Sequence, residues 1–243
     1  MSREDRFLES IKSVTSSEEI KKIALEIGFD LKNILLNPNI TKQDNFHLFL
    51  DAGADVNARD EFGNTPLHYL QYTYNNDLAR LLLEAGADAN AINDYQETPL
   101  HYVRTVGQAE ALLDHGADVN ARDSYNLTPL HNAKSEGIAN LLLEAGADVN
   151  AKNRNGETPL FHRFVEDITK VLLEAGADVN AKNRNGETVL FCALYYVYPE
   201  REIKLLLEAG ADVNIQNDHG DTPLHYAYNE TIIKLLVEAG ATQ

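Results

Sequence analysis

LLEAGADVNAKNRNGET runs from Leu142 to Thr158 and recurs without a change from Leu172 to Thr188. A polar, glycine-punctuated stretch copied at this distance is what a repeated structural unit leaves behind. A single catalytic centre has no use for it, so the period comes first. Working outward, Gly-Ala-Asp starts at Gly53, Gly86, Gly116, Gly146, Gly176 and Gly210, and Gly240-Ala241-Thr242 closes the series. Thr-Pro-Leu-His or a close variant starts at Thr65, Thr98, Thr128, Thr158, Thr188 and Thr222. From each Gly to the next Thr there are always 12 residues, whereas from Thr to the next Gly there are 21, 18, 18, 18, 22 and 18. One half of the unit is rigid in length and the other tolerates change.

Local chemistry assigns the halves. Thr-Pro-Leu is a helix start: the Thr hydroxyl is suited to cap a free N–H, and Pro at the first helical position forfeits no hydrogen bond. Leu-Leu-Leu-Glu-Ala-Gly is a helix end, closed by a glycine able to turn left-handed. The Asp, Asn and Gly between them accept turn geometry. The unit is turn, helix, short link, helix, and neither helix buries its apolar face alone, so units must stack. The spacing predicts an all-α solenoid of short antiparallel helix pairs.

Asp60–Asn90 and Asn120–Asn150 carry the whole pattern, and on these residues the chain resembles the ankyrin-repeat family from Phe46 onward. The resemblance implies an ankyrin-repeat α-solenoid with helical units joined by β-hairpin-like loops. The expected organisation is an N-terminal helical cap (1–28), a degenerate repeat (29–57) and six repeats over 58–243, at 58–90, 91–120, 121–150, 151–180, 181–214 and 215–243. Departures are local. Four units are three residues short at the link between helices, Val189 replaces Pro, and Phe161 and Phe191 replace His. In the first 28 residues, Ser16 with Glu19 reads as a helix cap. Ile20, Ile23, Ala24 and Ile27, like Phe7, Leu8, Ile11 and Val14, share helical faces that either cover the first repeat or form a separate binding hairpin.

Composition excludes several functions. The formal net charge of −17 has the wrong sign for nucleic acid or an anionic membrane surface. With one cysteine, Cys192, the chain has no internal disulfide and suits a reducing compartment. The expectation is a cytoplasmic protein, in its own cell or delivered to a host cytosol. No metal or cofactor is expected. His68, His101, His131 and His225 recur once per unit, three residues after the Thr, where the resemblance implies a structural role. Asp55, Asp88, Asp118, Asp148, Asp178 and Asp212 are spread one per turn and read as turn formers. Cys192 has no His beside it in a nucleophile's arrangement, and no phosphate-cradling glycine loop occurs. The chain is not expected to be an enzyme.

What remains is binding. In ankyrin-repeat proteins partners dock on the concave face made by hairpin tips and first helices, so the resemblance implies a protein partner there. Three tips carry an aromatic that a turn does not need: Phe62, Tyr95 and Tyr125. The next two carry Arg154 and Arg184, each beside a lysine, Lys152 and Lys182. The two long units are rich in tyrosine (Tyr69, Tyr72 and Tyr74; Tyr195, Tyr196 and Tyr198), and Tyr72 and Tyr195 join the candidates. Their extra residues are expected between the helices. A row of acids two residues before each turn glycine (Asp51, Glu84, Asp114, Glu144, Glu174, Glu208 and Glu238) favours a partner with a basic patch. The expectation is a non-catalytic interaction module. A bacterial or viral effector acting on a host protein fits the residue usage; a regulatory or targeting fragment of a larger enzyme, and a small-molecule binder using the tyrosines, stay open. The last helix keeps an apolar strip, Ile232, Ile233, Leu235, Leu236 and Val237, which predicts a monomer with weak end-to-end self-association.

Overall fold

Among the described residues each Leu-rich segment that ends in Glu-Ala-Gly, or Asp-His-Gly, is a nine-residue α-helix with a left-handed glycine behind it. The computed structural model describes residues 3–37, 46–73, 75–162, 166–195 and 200–242. It divides into two units, Met1–Asp118 and Val119–Gln243. The first contains α1 (Arg3–Ser10), α2 (Ser17–Ile27), a 3-10 helix Leu31–Leu36, α3 (Phe46–Asp51), a 3-10 helix Pro66–Tyr72, α4 (Asn76–Glu84), a 3-10 turn Pro99–Tyr102 and α5 (Val106–Asp114). The second contains a 3-10 turn Pro129–Asn132, α6 (Glu136–Glu144), a 3-10 turn Pro159–His162, α7 (Glu166–Glu174), α8 (Val189–Ala193), α9 (Glu200–Glu208), a 3-10 turn Pro223–Tyr226 and α10 (Glu230–Glu238). No strand occurs among the described residues. Tyr74, Tyr196 and Tyr198 lie outside them.

Caps set the ends of the second helices. Asn75, Thr105, Ser135 and Asn229 accept backbone N–H groups at the starts of α4, α5, α6 and α10. At the far end Gly86, at φ +91°, lets its N–H reach Leu83 O while Ala87 N–H reaches Leu82 O. These two bonds satisfy carbonyls the helix leaves open. Stacking buries one leucine per repeat completely: Leu82, Leu112, Leu142, Leu172, Leu206 and Leu236. Each contributes roughly 1.5–3 kcal/mol relative to an exposed position. One turn earlier the buried row reads Leu78, Gln108, Ile138, Ile168, Glu202 and Ile232. The two polar members have partners. Gln108 donates to Leu70 O (3.3 Å) and Thr73 O (2.8 Å) and accepts from Arg104 N–H (2.9 Å), while Glu202 accepts from the Thr169 hydroxyl.

The first helices differ from expectation in two ways. Most are single 3-10 turns, closed by bonds such as His131 N–H to Thr128 O (2.9 Å). After a nine-residue second helix and its cap, a short unit has room for little more, and 3-10 geometry suits such short pieces. Only α8, where Val189 stands for Pro, is α-helical. In the first long unit, the extra residues lengthen the 3-10 helix to Tyr72 instead of all falling in a link.

The threonine and the residue three on close a capping box, in which the imidazole also meets the Thr hydroxyl. Thr65 Oγ1 lies 2.9 Å from His68 Nδ1, and the Thr65 N–H donates to the same nitrogen at 3.0 Å. Nδ1 is therefore the acceptor, and Nε2–H donates to Glu97 O of the following repeat (3.0 Å). Burial holds His68 below its usual range and so keeps it neutral. Where Phe161 and Phe191 replace His, the Thr158 and Thr188 hydroxyls are buried with no hydrogen-bond partner. An unpaired buried hydroxyl is costly. Thr188→Val is therefore expected to raise stability by about 1 kcal/mol, and Thr128→Val, which breaks the pair with His131 (2.9 Å), to lower it by a similar amount. Denaturant unfolding of both variants checks the pair. The same sign for both removes this account.

At the other end α1 and α2 bury Phe7, Ile11 and Ile20 completely, and α2 packs on α3. The Phe7 ring stacks on Phe29, with centroids 4.6 Å apart and planes 12° from parallel. Ser16 accepts the Glu19 N–H, and Gly28, at φ +67°, ends α2.

Candidate partner-binding surface

Each loop tip is built around one carboxylate or amide. Asp60 Oδ1 accepts the N–H groups of Phe62 and Asn64, both at 2.8 Å. Asn93, Asp123, Asn153, Asn183 and Asn217 do the same in their own tips. The residue after the tip turns left-handed, and glycine suits it best where the neighbouring tip is close: a Cβ on Gly186, at φ +74°, would lie 2.5 Å from Asp218 Oδ1. Backbone bonds then tie tip to tip. In the first unit Asp94 N–H donates to Phe62 O (3.0 Å). In the second, Arg154, Arg184 and Asp218 donate to Tyr125, Asn155 and Asn185 at 2.8–2.9 Å. These bonds tie the tip backbones together, and Phe62, Tyr95, Tyr125, Arg154 and Arg184 stand exposed on them.

A second lattice runs behind the tips. Asn57 Nδ2 donates to Gly86 O (3.0 Å) while its Oδ1 accepts Asp88 N–H (2.9 Å). Asn90, Asn120, Asn150, Asn180 and Asn214 each repeat this bridge to the repeat that follows. The aspartates Asp55, Asp88, Asp148, Asp178 and Asp212 accept the N–H two residues on, closing the turns. The sequence reading missed the asparagine bridges; their signal was an Asn two residues after every one of these Asp.

In the first unit Phe62 and Tyr72, each about half exposed, border a cleft of about 180 Å³ with Asp60, Asn64, His68, Tyr69 and Gln71. The rings of Tyr69 and Tyr72 are 5.9 Å apart. The Tyr69 hydroxyl donates to Asp60 Oδ2 at 2.8 Å. Burial, and then Asp60, push this phenol up to about 12, so it remains a donor. Burial alone would raise Asp60, but the hydrogen bonds from Asn64, Tyr69 and Phe62 outweigh it and hold the carboxylate low and charged. Tyr95, on the next tip, is also half exposed. Asp60, Asn64, His68 and Gln71 were not foreseen as lining.

In the second unit Tyr125 and Tyr195 are mostly exposed. Tyr195 meets Tyr226 edge-on at 5.9 Å. Arg154 and Arg184 are exposed, and Arg184 borders a groove of about 290 Å³ with Asn155, Glu157, Asn183 and Asn185. The neighbouring lysines are exposed and reach across to the next repeat. Lys152 Nζ donates to Lys182 O (3.2 Å) and Lys182 Nζ to Gln216 O (3.0 Å), so both brace the next repeat. The acids that end the second helices are all exposed. Burial, with Glu187 and Glu157 nearby, pushes the Cys192 thiol up to about 12, which leaves it protonated at neutral pH and a poor nucleophile. Among the described residues no group of His, Cys, Asp and Glu is arranged to hold a metal ion, and no helix is long and apolar enough to cross a membrane.

Comparison with known proteins adds four similarities. The family description "Ankyrin repeats (3 copies)" matches residues 38–123, 103–183 and 162–243. Among curated proteins, I-Kappa-B like protein F2 of Microplitis demolitor bracovirus (isolate Webb) is 38% identical over 68 residues, covering 26% of this chain and 41% of that protein. I-Kappa-B like protein I1 of the same virus is 43% identical over 54 residues, covering 21% and 32%. The chain thus spans less than half the length of these curated relatives. Among solved structures, the ankyrin repeat domain of Bcl-3, described as a unique member of the IkappaB protein family, superposes with a TM-score of 0.65 at 30% identity, over 85% of this chain and 97% of that one.

Proposed function

The chain belongs to the ankyrin-repeat family, and from that premise we propose that it is a non-catalytic module whose loop tips and first helices hold a partner protein. The observation that carries this reading is the cleft of the first unit. Phe62 and Tyr72 stand half exposed on its border although neither is needed to close a turn or fill the core, and Tyr69 and Asp60 hold a fixed polar group beside them. Rigid, exposed aromatics are the usual anchors of an interface. In the second unit Tyr125, Tyr195, Arg154 and Arg184 supply further contacts of the same kind. The net charge of −17 favours a partner with a basic contact surface and speeds its approach at low salt. The two bracoviral I-Kappa-B like relatives support a finer reading, in which the chain engages a regulatory protein in the cytosol of a host cell.

The test is alanine substitution against a partner recovered from host-cell extract and then purified. Phe62→Ala and Tyr72→Ala are each expected to weaken binding by about 1–2 kcal/mol, near tenfold or more, with little change in melting temperature. Leu25 on α2, 83% exposed and apart from the tips, is the control and should be neutral. An equal loss for Leu25→Ala, or unchanged affinity with a large fall in stability at Phe62 and Tyr72, removes the cleft from the interface.

A further inference from the structure

The cleft of the first unit sets a charge among rings. Tyr69 and Tyr72 lie 5.9 Å apart with their planes tilted by 42°, and Phe62 borders the same cleft from the loop tip. Beside them the Asp60 carboxylate is tied down. Its Oδ1 accepts the N–H groups of Phe62 and Asn64, and its Oδ2 accepts the Asn64 amide (2.9 Å) and the Tyr69 hydroxyl (2.8 Å). All four donors are neutral, so they fix the charge without cancelling it. No lysine or arginine is among the described residues that line the cleft. Arg59, next in the chain, donates to Ile92 O (2.8 Å) and Gly63 O (3.4 Å).

That carboxylate decides what can fill the cleft. An apolar side chain would strip water from a charge and give nothing back. A cation answers the charge and rests on the ring faces. Tyr69 adds to the pull, because a phenol that donates to a carboxylate is polarised by it and its ring face becomes richer in electrons. Glu61, exposed beside it, has the same sign as Asp60. The next repeats lack this set. Asn93 stands in the place of Asp60 and Thr105 in that of Tyr72, and in the repeat after that Asp123 has Asn132 where Asp60 has Tyr69. Size matters too: about 180 Å³ falls below the roughly 300–1,000 Å³ of pockets that hold whole small molecules, but it admits the end of one side chain.

We propose that this cleft takes the cationic end of a basic side chain of the partner protein, held by Phe62, Tyr69 and Tyr72 beside the charge of Asp60. The inference rests on the reading of the tips as a protein-binding surface and names what enters it. The net charge of −17 draws a basic partner from a distance, and the cleft selects the charge at contact.

Two probes of equal shape separate charge from bulk: an acetylated trimethyllysine methylamide, and its analogue with carbon in place of the quaternary nitrogen. Each is titrated into the full chain while NMR follows the amide signals of Phe62, Asn64 and Tyr72. The charged probe is expected to bind at least about threefold more tightly than the neutral one. Asp60→Asn and Tyr72→Leu should each weaken it by a similar factor, and Leu25→Ala, apart from the tips, should not. Asn93 closes the next tip as Asp60 closes this one, so Asp60→Asn is expected to fold, and melting curves check every variant. Equal affinity for the two probes, no shift in the cleft at any probe concentration, or indifference to both Asp60→Asn and Tyr72→Leu would each overturn the proposal. These arms need no partner, so a failed cation arm and an alanine series that removes the cleft from the interface are separate results.

Discussion

Gln108→Leu is expected to destabilise the first unit by about 3 kcal/mol, although leucine or isoleucine fills the same slot in four of the other repeats. Helix propensity and hydrophobic pattern both favour the substitution, so a stabilising result is what a reading of the sequence alone would predict. The opposite sign follows from the three hydrogen bonds of the buried amide. The long 3-10 helix ends with the Leu70 and Thr73 carbonyls turned towards α5, and Gln108 Nε2 meets both, while Oε1 takes the Arg104 N–H. A leucine takes away the bonds of the Thr73 carbonyl and the Arg104 N–H and leaves the Leu70 carbonyl with the Thr73 N–H alone, and its apolar gain does not offset that loss. Denaturant unfolding gives the size, and hydrogen exchange at the Arg104 amide gives the location. A neutral or stabilised variant with full protection at Arg104 would show that water replaces the amide.

The second large effect belongs to the N-terminal helices. Phe7→Ala is expected to cost about 3–5 kcal/mol, the range for deleting a fully buried aromatic ring, because Phe7 is wholly buried and stacked on Phe29. The loss should appear first as faster hydrogen exchange in α2 and α3, while amides of the second unit keep their protection. A change below about 1 kcal/mol would mean that α1 and α2 are laid on the repeats without supporting them.

The repeat period, the second helices and the glycines that end them were legible because they depend on spacing and on residues whose backbone preferences are local. Exposure of Phe62, Tyr95 and Tyr125 was legible for a related reason: a tip that hydrogen-bonds its neighbour by backbone has no interior for a ring to enter. Three things were not legible. The 3-10 form of the first helices is decided by how much chain the second helix leaves over. The use of Lys152 and Lys182 as braces depends on a carbonyl one repeat away, which no local window contains. The cleft beside Phe62 needs Tyr72, and Tyr72 reaches it because the longer 3-10 helix extends that far.

The asparagine bridges behind the tips have a consequence for descent. Each grips a carbonyl of glycine and an amide hydrogen, backbone atoms that stay in place as long as the left-handed turn is kept and no proline supplies the N–H. The grip is therefore blind to the genetic text of its neighbour. A copied stretch such as Leu172–Thr188 brings both gripped atoms with it unchanged. Lineages that recombine such segments can recast what the protein recognises as quickly as they shuffle their genes.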